Sequence, residues 1–223
     1  MNLHTVRSGG FAGIAFVIVV LAAGFVPGIP PDNSHPASEI SAYYDANRTM
    51  LLLASLLSLV AVVLFTWYAV QFYRLLSSAG NDEGLPMFTL ASGITANVLA
   101  AAAAAVSGAL VFHPSSSLGP QASLAVADLV SMFGAIIWAP IAAFTFGASL
   151  SGARHGTLPG WLVWVGYLTA LVEAIATLSI MFNSGPLVLG GLIGFVAVIV
   201  FALWTVLSAF VIIRVGSRAD SAP

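Results

Sequence analysis

Six arginines interrupt an otherwise apolar chain, and their spacing constrains the fold more than any other feature. They are Arg7, Arg48, Arg74, Arg154, Arg214 and Arg218, and the chain contains no lysine. Six long apolar stretches lie between them, at about 10–29, 49–76, 86–112, 121–150, 159–182 and 186–213. A hydrocarbon core about 30 Å thick is crossed by roughly 20 apolar residues in a helix, so each stretch is long enough to span. With a cytoplasmic N-terminus, alternate connections put five arginines inside and only Arg48 outside, which is the asymmetry the positive-inside rule describes. The pattern predicts an all-α polytopic membrane protein of six transmembrane helices, both termini cytoplasmic, forming one domain over 1–223 in the cell inner (plasma) membrane.

Composition narrows the function classes. Of 223 residues, 60% are hydrophobic and 6% charged, against about 25% charged in soluble domains. A net charge of −2 offers no basic cluster to neutralise phosphates, so a nucleic-acid partner is not expected. The absence of cysteine removes disulfides, thiolate ligands and a cysteine nucleophile, and the absence of lysine removes Schiff-base chemistry. The apolar run Phe11–Val26 is long for a signal peptide and lacks an A-x-A site before Pro27, so residues 10–29 read as a retained first helix.

Prolines mark the helix boundaries. Pro86, Pro159 and Pro186 open apolar runs, where a missing N–H is harmless. Pro140 instead lies inside the fourth run and predicts a kink, because it leaves a carbonyl one turn earlier without its donor. In the long first outer loop, Ile40, Tyr43, Tyr44 and Asn47 recur at helical spacing. They predict a short amphipathic helix over about 37–47, lying on the outer leaflet with its tyrosines at headgroup depth. Gly9-x3-Gly13, Gly190-x3-Gly194 and the unbroken series Ala100–Ala105 are low-profile surfaces suited to close helix packing, within the bundle or between protomers. No internal repeat relates the two halves, which leaves an inverted-repeat transporter unsupported.

The segments Gly156-Thr157-Leu158-Pro159-Gly160-Trp161-Leu162-Val163-Trp164-Val165-Gly166 and Ala37-Ser38-Glu39-Ile40-Ser41-Ala42-Tyr43-Tyr44 carry a resemblance. The chain resembles a broad group of uncharacterised six-helix membrane proteins of actinobacteria. That resemblance implies fold and topology over most of the chain and no activity. Glu173 departs from it, since an apolar residue is expected at that position.

Ionisable groups inside a bilayer are costly and therefore candidate functional groups. Glu173 lies in the fifth run and Asp128 in the fourth. Counting from the helix ends places both carboxyls in the outer half, within about 5 Å of one depth. Gly166, Thr169, Glu173 and Thr177 share one helical stripe, which predicts that Glu173 faces the bundle interior. Asn97 is a third mid-membrane polar group. His113, Asn183, Arg48 and Tyr44 are expected at the outer mouth, completing a polar, outward-opening site. The remaining histidines are scattered without metal-ligand spacing, and no phosphate loop, catalytic triad order or H-E-x-x-H pattern occurs. No metal or cofactor is therefore expected.

Three readings follow. The first is a non-catalytic module that binds a lipophilic molecule or serves as a subunit of a larger membrane assembly, with another membrane protein or a second copy as partner. The second is a membrane-embedded cyclase or isomerase, in which Glu173 and Asp128 act as acid and base on an isoprenoid- or sterol-like substrate. A carboxylic acid held neutral in an apolar pocket can protonate an alkene, epoxide or enol. The third is a proton-coupled transporter in which Glu173 is the coupling group.

Overall fold

A computed structural model describes residues 3–28, 30–31, 35–78, 84–112, 119–182, 185–188 and 191–220. The described residues are helical apart from short connections, and six spans are long and apolar enough to cross a membrane. The helices are α1 (Leu3–Phe25), α2 (Ala37–Ala46), α3 (Arg48–Ser77), α4 (Gly84–Phe112), α5 (Pro120–Ile136), α6 (Trp138–His155), α7 (Gly160–Thr177) and α8 (Leu192–Asp220), with a 3-10 turn at Leu178–Met181 after α7. Helices α5 and α6 together form the fourth span. An all-α polytopic fold is thus in place.

The spans form a closed ring in chain order. Helix α1 packs on α3, α3 on α4, α4 on both halves of the fourth span, α6 on α7, α7 on α8, and α8 back on α1. Small residues allow the closest of these approaches. A Cβ built on Gly9 would sit 2.3 Å from Cβ of Gln71, and one on Gly10 would sit 2.7 Å from the Ala209 carbonyl oxygen. Gly13 meets the Tyr68 ring and Ala209 in the same way. The Gly9-x3-Gly13 surface is therefore consumed within the bundle, where it locks α1 between α3 and α8. The partner pattern contains Gly190, which lies outside the described residues.

The fourth span breaks where Pro140 requires it to. Proline has no N–H to give the Ile136 carbonyl, while the flanking bonds from Ile137 N to Phe133 O (3.1 Å) and Ile141 N to Ile137 O (3.2 Å) persist. The helix is interrupted at Ile137, whose own dihedrals (φ −59, ψ −27) stay helical. Below the break α6 packs along α7, whereas above it α5 leaves α7 and leans on α4 and α2. This divergence opens the outer half of the bundle.

One boundary is corrected, and the short helix expected in the outer loop is present. The sixth span starts at Leu192 rather than near Pro186. Gly185 has φ 84, and successive turns bond Val188 N to Gly185 O and Gly191 N to Val188 O. These turns use the residues that a helix from Pro186 would need. Helix α2 forms as a separate element, broken from α3 at Asn47 (φ −106, ψ 15), but its apolar face meets protein. Ile40 packs with Leu110 of α4 and Ala127 of α5, with Tyr44 against the same cluster. Tyr43 Oη donates to the carbonyl oxygens of Pro27 (3.1 Å) and Gly28 (3.3 Å), tying α2 to the end of α1.

Candidate functional site: an apolar outer cavity above a buried carboxyl

The two halves of the bundle are filled differently. On the side bearing the termini, the axis is occupied by Phe65, Tyr68, Phe72, Phe144 and Trp204, whose rings meet edge-to-face or tilted at centroid distances of 5.3–6.3 Å. Such contacts contribute beyond burial alone. In the other half alanines and glycines stand among the rings of Phe16, Phe65, Trp138 and Phe201, and three cavities lie among the described residues. One of about 320 Å³ lies between α3, α4 and α5, walled by Ala61, Ala100, Ala103 and Ala104. A second, of about 250 Å³, is central and bounded by Phe16, Phe65, Ala100, Trp138 and Phe201. A third, of about 230 Å³, extends to the turn before α8, between Gly134, Trp138 and Gly194. The first two share Phe16, Asn97 and Ile137, and the second and third share Gly134, Trp138 and Val198. Their shared walls set the three side by side, each partly open.

Three of the polar residues in their walls are engaged elsewhere. Asn97 Nδ2 donates to the Val62 carbonyl and to Thr66 Oγ1, both at 2.7 Å, joining α4 to α3. Ser55 and Ser58 donate to carbonyls one turn back, Leu51 (3.0 Å) and Ala54 (2.9 Å). The space therefore offers a guest shape and apolar contact, with these donors already committed. Apolar cavities of about 150 Å³ stay dry and take small hydrocarbons, and ordinary ligand pockets begin near 300 Å³.

Glu173 lies apart from this space. It is fully buried on α7 and faces α6, where Thr145 Oγ1 donates to Oε1 at 3.4 Å. Its Oε2 is buried without a hydrogen-bond partner. Thr169, one turn away, is buried at 3% exposure. Thr177 is half-buried, and its hydroxyl donates to the Glu173 backbone carbonyl at 3.1 Å. The inward orientation of the stripe agrees with the sequence pattern.

Equal depth with Asp128 does not hold. Thr145, the residue opposite Glu173, stands 17 residues beyond Asp128 on the fourth span, or about 25 Å of helix, shortened a little by the bend. The reason is length: the fourth span covers 35 residues and the fifth 22, and the excess raises Asp128 toward the outer end. Asp128 is half-buried there beside Ala127, which packs against α2 and α4. A paired acid and base at one depth is not formed.

Of the residues expected at the mouth, Arg48 and Tyr44 are both found at the outer end of α4. Arg48 Nε donates to the Val111 carbonyl at 2.8 Å and Nη2 to that of Phe112. It places a cation on the C-terminus of α4, where the helix dipole favours one. Tyr44 packs beside Tyr43, ring centroids 5.6 Å apart, and burial, with a smaller contribution from Tyr43, pushes its phenol up to about 12. His113 and Asn183 lie outside the described residues. Among those described, no three His, Asp or Glu side chains gather as metal ligands. No protein-family model, curated protein or solved structure matches the chain.

Two sets of residues escaped the sequence reading. The cavity walls include Ala100 and Ala103, read as packing surface because small residues signal approach as readily as space, and Ala96 and Gly134, which the sequence did not single out. Thr145, the polar neighbour of Glu173, carried a usable signal. Thr145 and Ser149 are spaced i, i+4 within an apolar run, which puts two hydroxyls on one helix face.

Proposed function

We propose that this integral membrane protein is a non-catalytic module that holds an uncharged, predominantly hydrocarbon molecule in the outer half of the bundle. The observation that carries this reading is the apolar space whose donors Ser55 and Ser58 are bonded to carbonyls of their own helix α3 and Asn97 across to α3. A charged or strongly polar group would lose its hydration there without replacement, whereas an acyl or isoprenoid chain would gain dispersion contacts with the apolar walls. Between the two forms of the module reading, ligand holder and assembly subunit, the space favours the first. The enzyme reading loses support because Glu173 and Asp128 stand far apart along the bundle. The plasma membrane is the location that the arginine asymmetry supports.

The test uses Trp138, which lines two of the cavities. A bromoalkane added to the purified protein in nanodiscs should quench a saturable part of the tryptophan emission. That part should vanish in Trp138→Phe and fall at least tenfold in affinity in Ala100→Phe, which enlarges a wall shared by two cavities. Quenching equal in Ala100→Phe and wild type would refute the reading.

A further inference from the structure

Where the outer part of the fourth span leans away from α7, the ring of helices has a loose seam. Helix α5 packs on α4 and α2, touches α7 and the 3-10 turn lightly, and does not pack along α8. The cavity of about 230 Å³ occupies this seam, with Ser131, Gly134 and Trp138 on one side and Gly191, Gly194 and Val198 on the other. A Cβ built on Gly134 or on Gly194 would meet no atom within 4 Å, so both glycines border open space. Beside the seam, Met132, Ile136, Leu192 and Phe195 are exposed. In a membrane-spanning segment such apolar residues face hydrocarbon, so the seam borders lipid.

Depth decides which lipid. Helix α8 starts at Leu192. Gly194 lies about 3 Å below that start along the axis, and Phe201 about 14 Å below it. One leaflet of a hydrocarbon core about 30 Å thick is about 15 Å deep. At the lower level the rings of Phe16 and Phe65 meet Phe201, with centroids 6.2 and 6.1 Å away, and floor the central cavity. That cavity shares Gly134, Trp138 and Val198 with the seam. From the outer turn to this floor, the apolar walls therefore run one outer leaflet deep. The seam itself is lined by no charged side chain, and a charge is costly at that depth.

We infer that the guest is a lipid of the outer leaflet, whose hydrocarbon chain enters sideways between α5 and α8 while its polar end stays at the membrane surface beside Val188 and Gly191. The inference rests on the ligand-holding function proposed above and adds the source of the guest and its route.

The test uses the full chain, oriented in phosphatidylcholine vesicles, and a lysophosphatidylcholine brominated along its acyl chain, which crosses the bilayer slowly. The Trp138-dependent quenching should develop at least tenfold faster when this probe is added to the outer leaflet than when it is confined to the inner one. Gly194→Cys, alkylated with N-phenylmaleimide after purification, should slow quenching at least tenfold relative to the same variant before alkylation. Alkylated Leu203→Cys, on an exposed face of α8, should keep the wild-type rate. Equal rates from the two leaflets, or an unchanged rate in alkylated Gly194→Cys, would overturn the inference. Saturable quenching by a bromoalkane with none by the lysolipid would also overturn it while leaving the ligand-holding function in place. Absence of quenching by both would remove that function and the inference together.

Discussion

Glu173 is held by one hydroxyl, and that fact predicts its sensitivity. Thr145→Val keeps the side-chain volume and removes the donor to Oε1, leaving a fully buried carboxyl without its protein partner. A loss of about 1–3 kcal/mol is expected, measured by reversible unfolding in mixed micelles; unchanged stability would show that Thr145 does not support the acid. Tyr44 gives the corresponding pH prediction outside the membrane. Its phenol titrates at 10.0 when free and near 12 when docked, so the folded state retains the proton that the unfolded state releases. The docking stability of α2 is complete below pH 10 and is lost as pH rises toward 12. The difference in tyrosinate absorbance between wild type and Tyr44→Phe should appear near pH 12; a midpoint at 10 would contradict the docking of α2.

At the scale of elements, Pro140 has the largest consequence. It breaks the fourth span at Ile137, and the outer segment α5 then leans toward α2 and α4, away from α7. Pro140→Ala restores a donor to the Ile136 carbonyl and should straighten the span. Spin labels at exposed Leu129 and Leu178, attached through introduced cysteines in a chain with none of its own, should then move closer together. An unchanged distance would assign the bend to packing. The break itself was legible, because a missing N–H inside an apolar run has one local consequence. Its result was not, since the direction in which α5 leans depends on α2, and contact between them requires tertiary structure. The same limit explains Asp128. Residue counting gave its distance from a helix end but could not show that the fourth span overshoots the fifth, and Thr145 opposite Glu173 revealed that offset. Arg48 was visible as the lone outer cation, but its bonds to Val111 and Phe112 join positions 63 and 64 residues apart.

For the whole molecule, arginine placement and six apolar runs specify topology, while the distribution of aromatic and small residues divides the bundle into a packed half and a hollow half. A reporter active only in the periplasm should work when fused after residues 35, 116 and 184 and remain silent after 81, 156 and 220; activity at 220 would reverse the arrangement. The division into halves is the central claim, and anomalous diffraction from the protein soaked with a bromoalkane tests it most directly. The account predicts a bromine peak inside the bundle, bounded by Phe16, Asn97, Ala100 and Trp138, and none among Phe72, Phe144 and Trp204. Bromine found only on the lipid-facing surface, with the interior between α1, α4 and α8 closed, would contradict it.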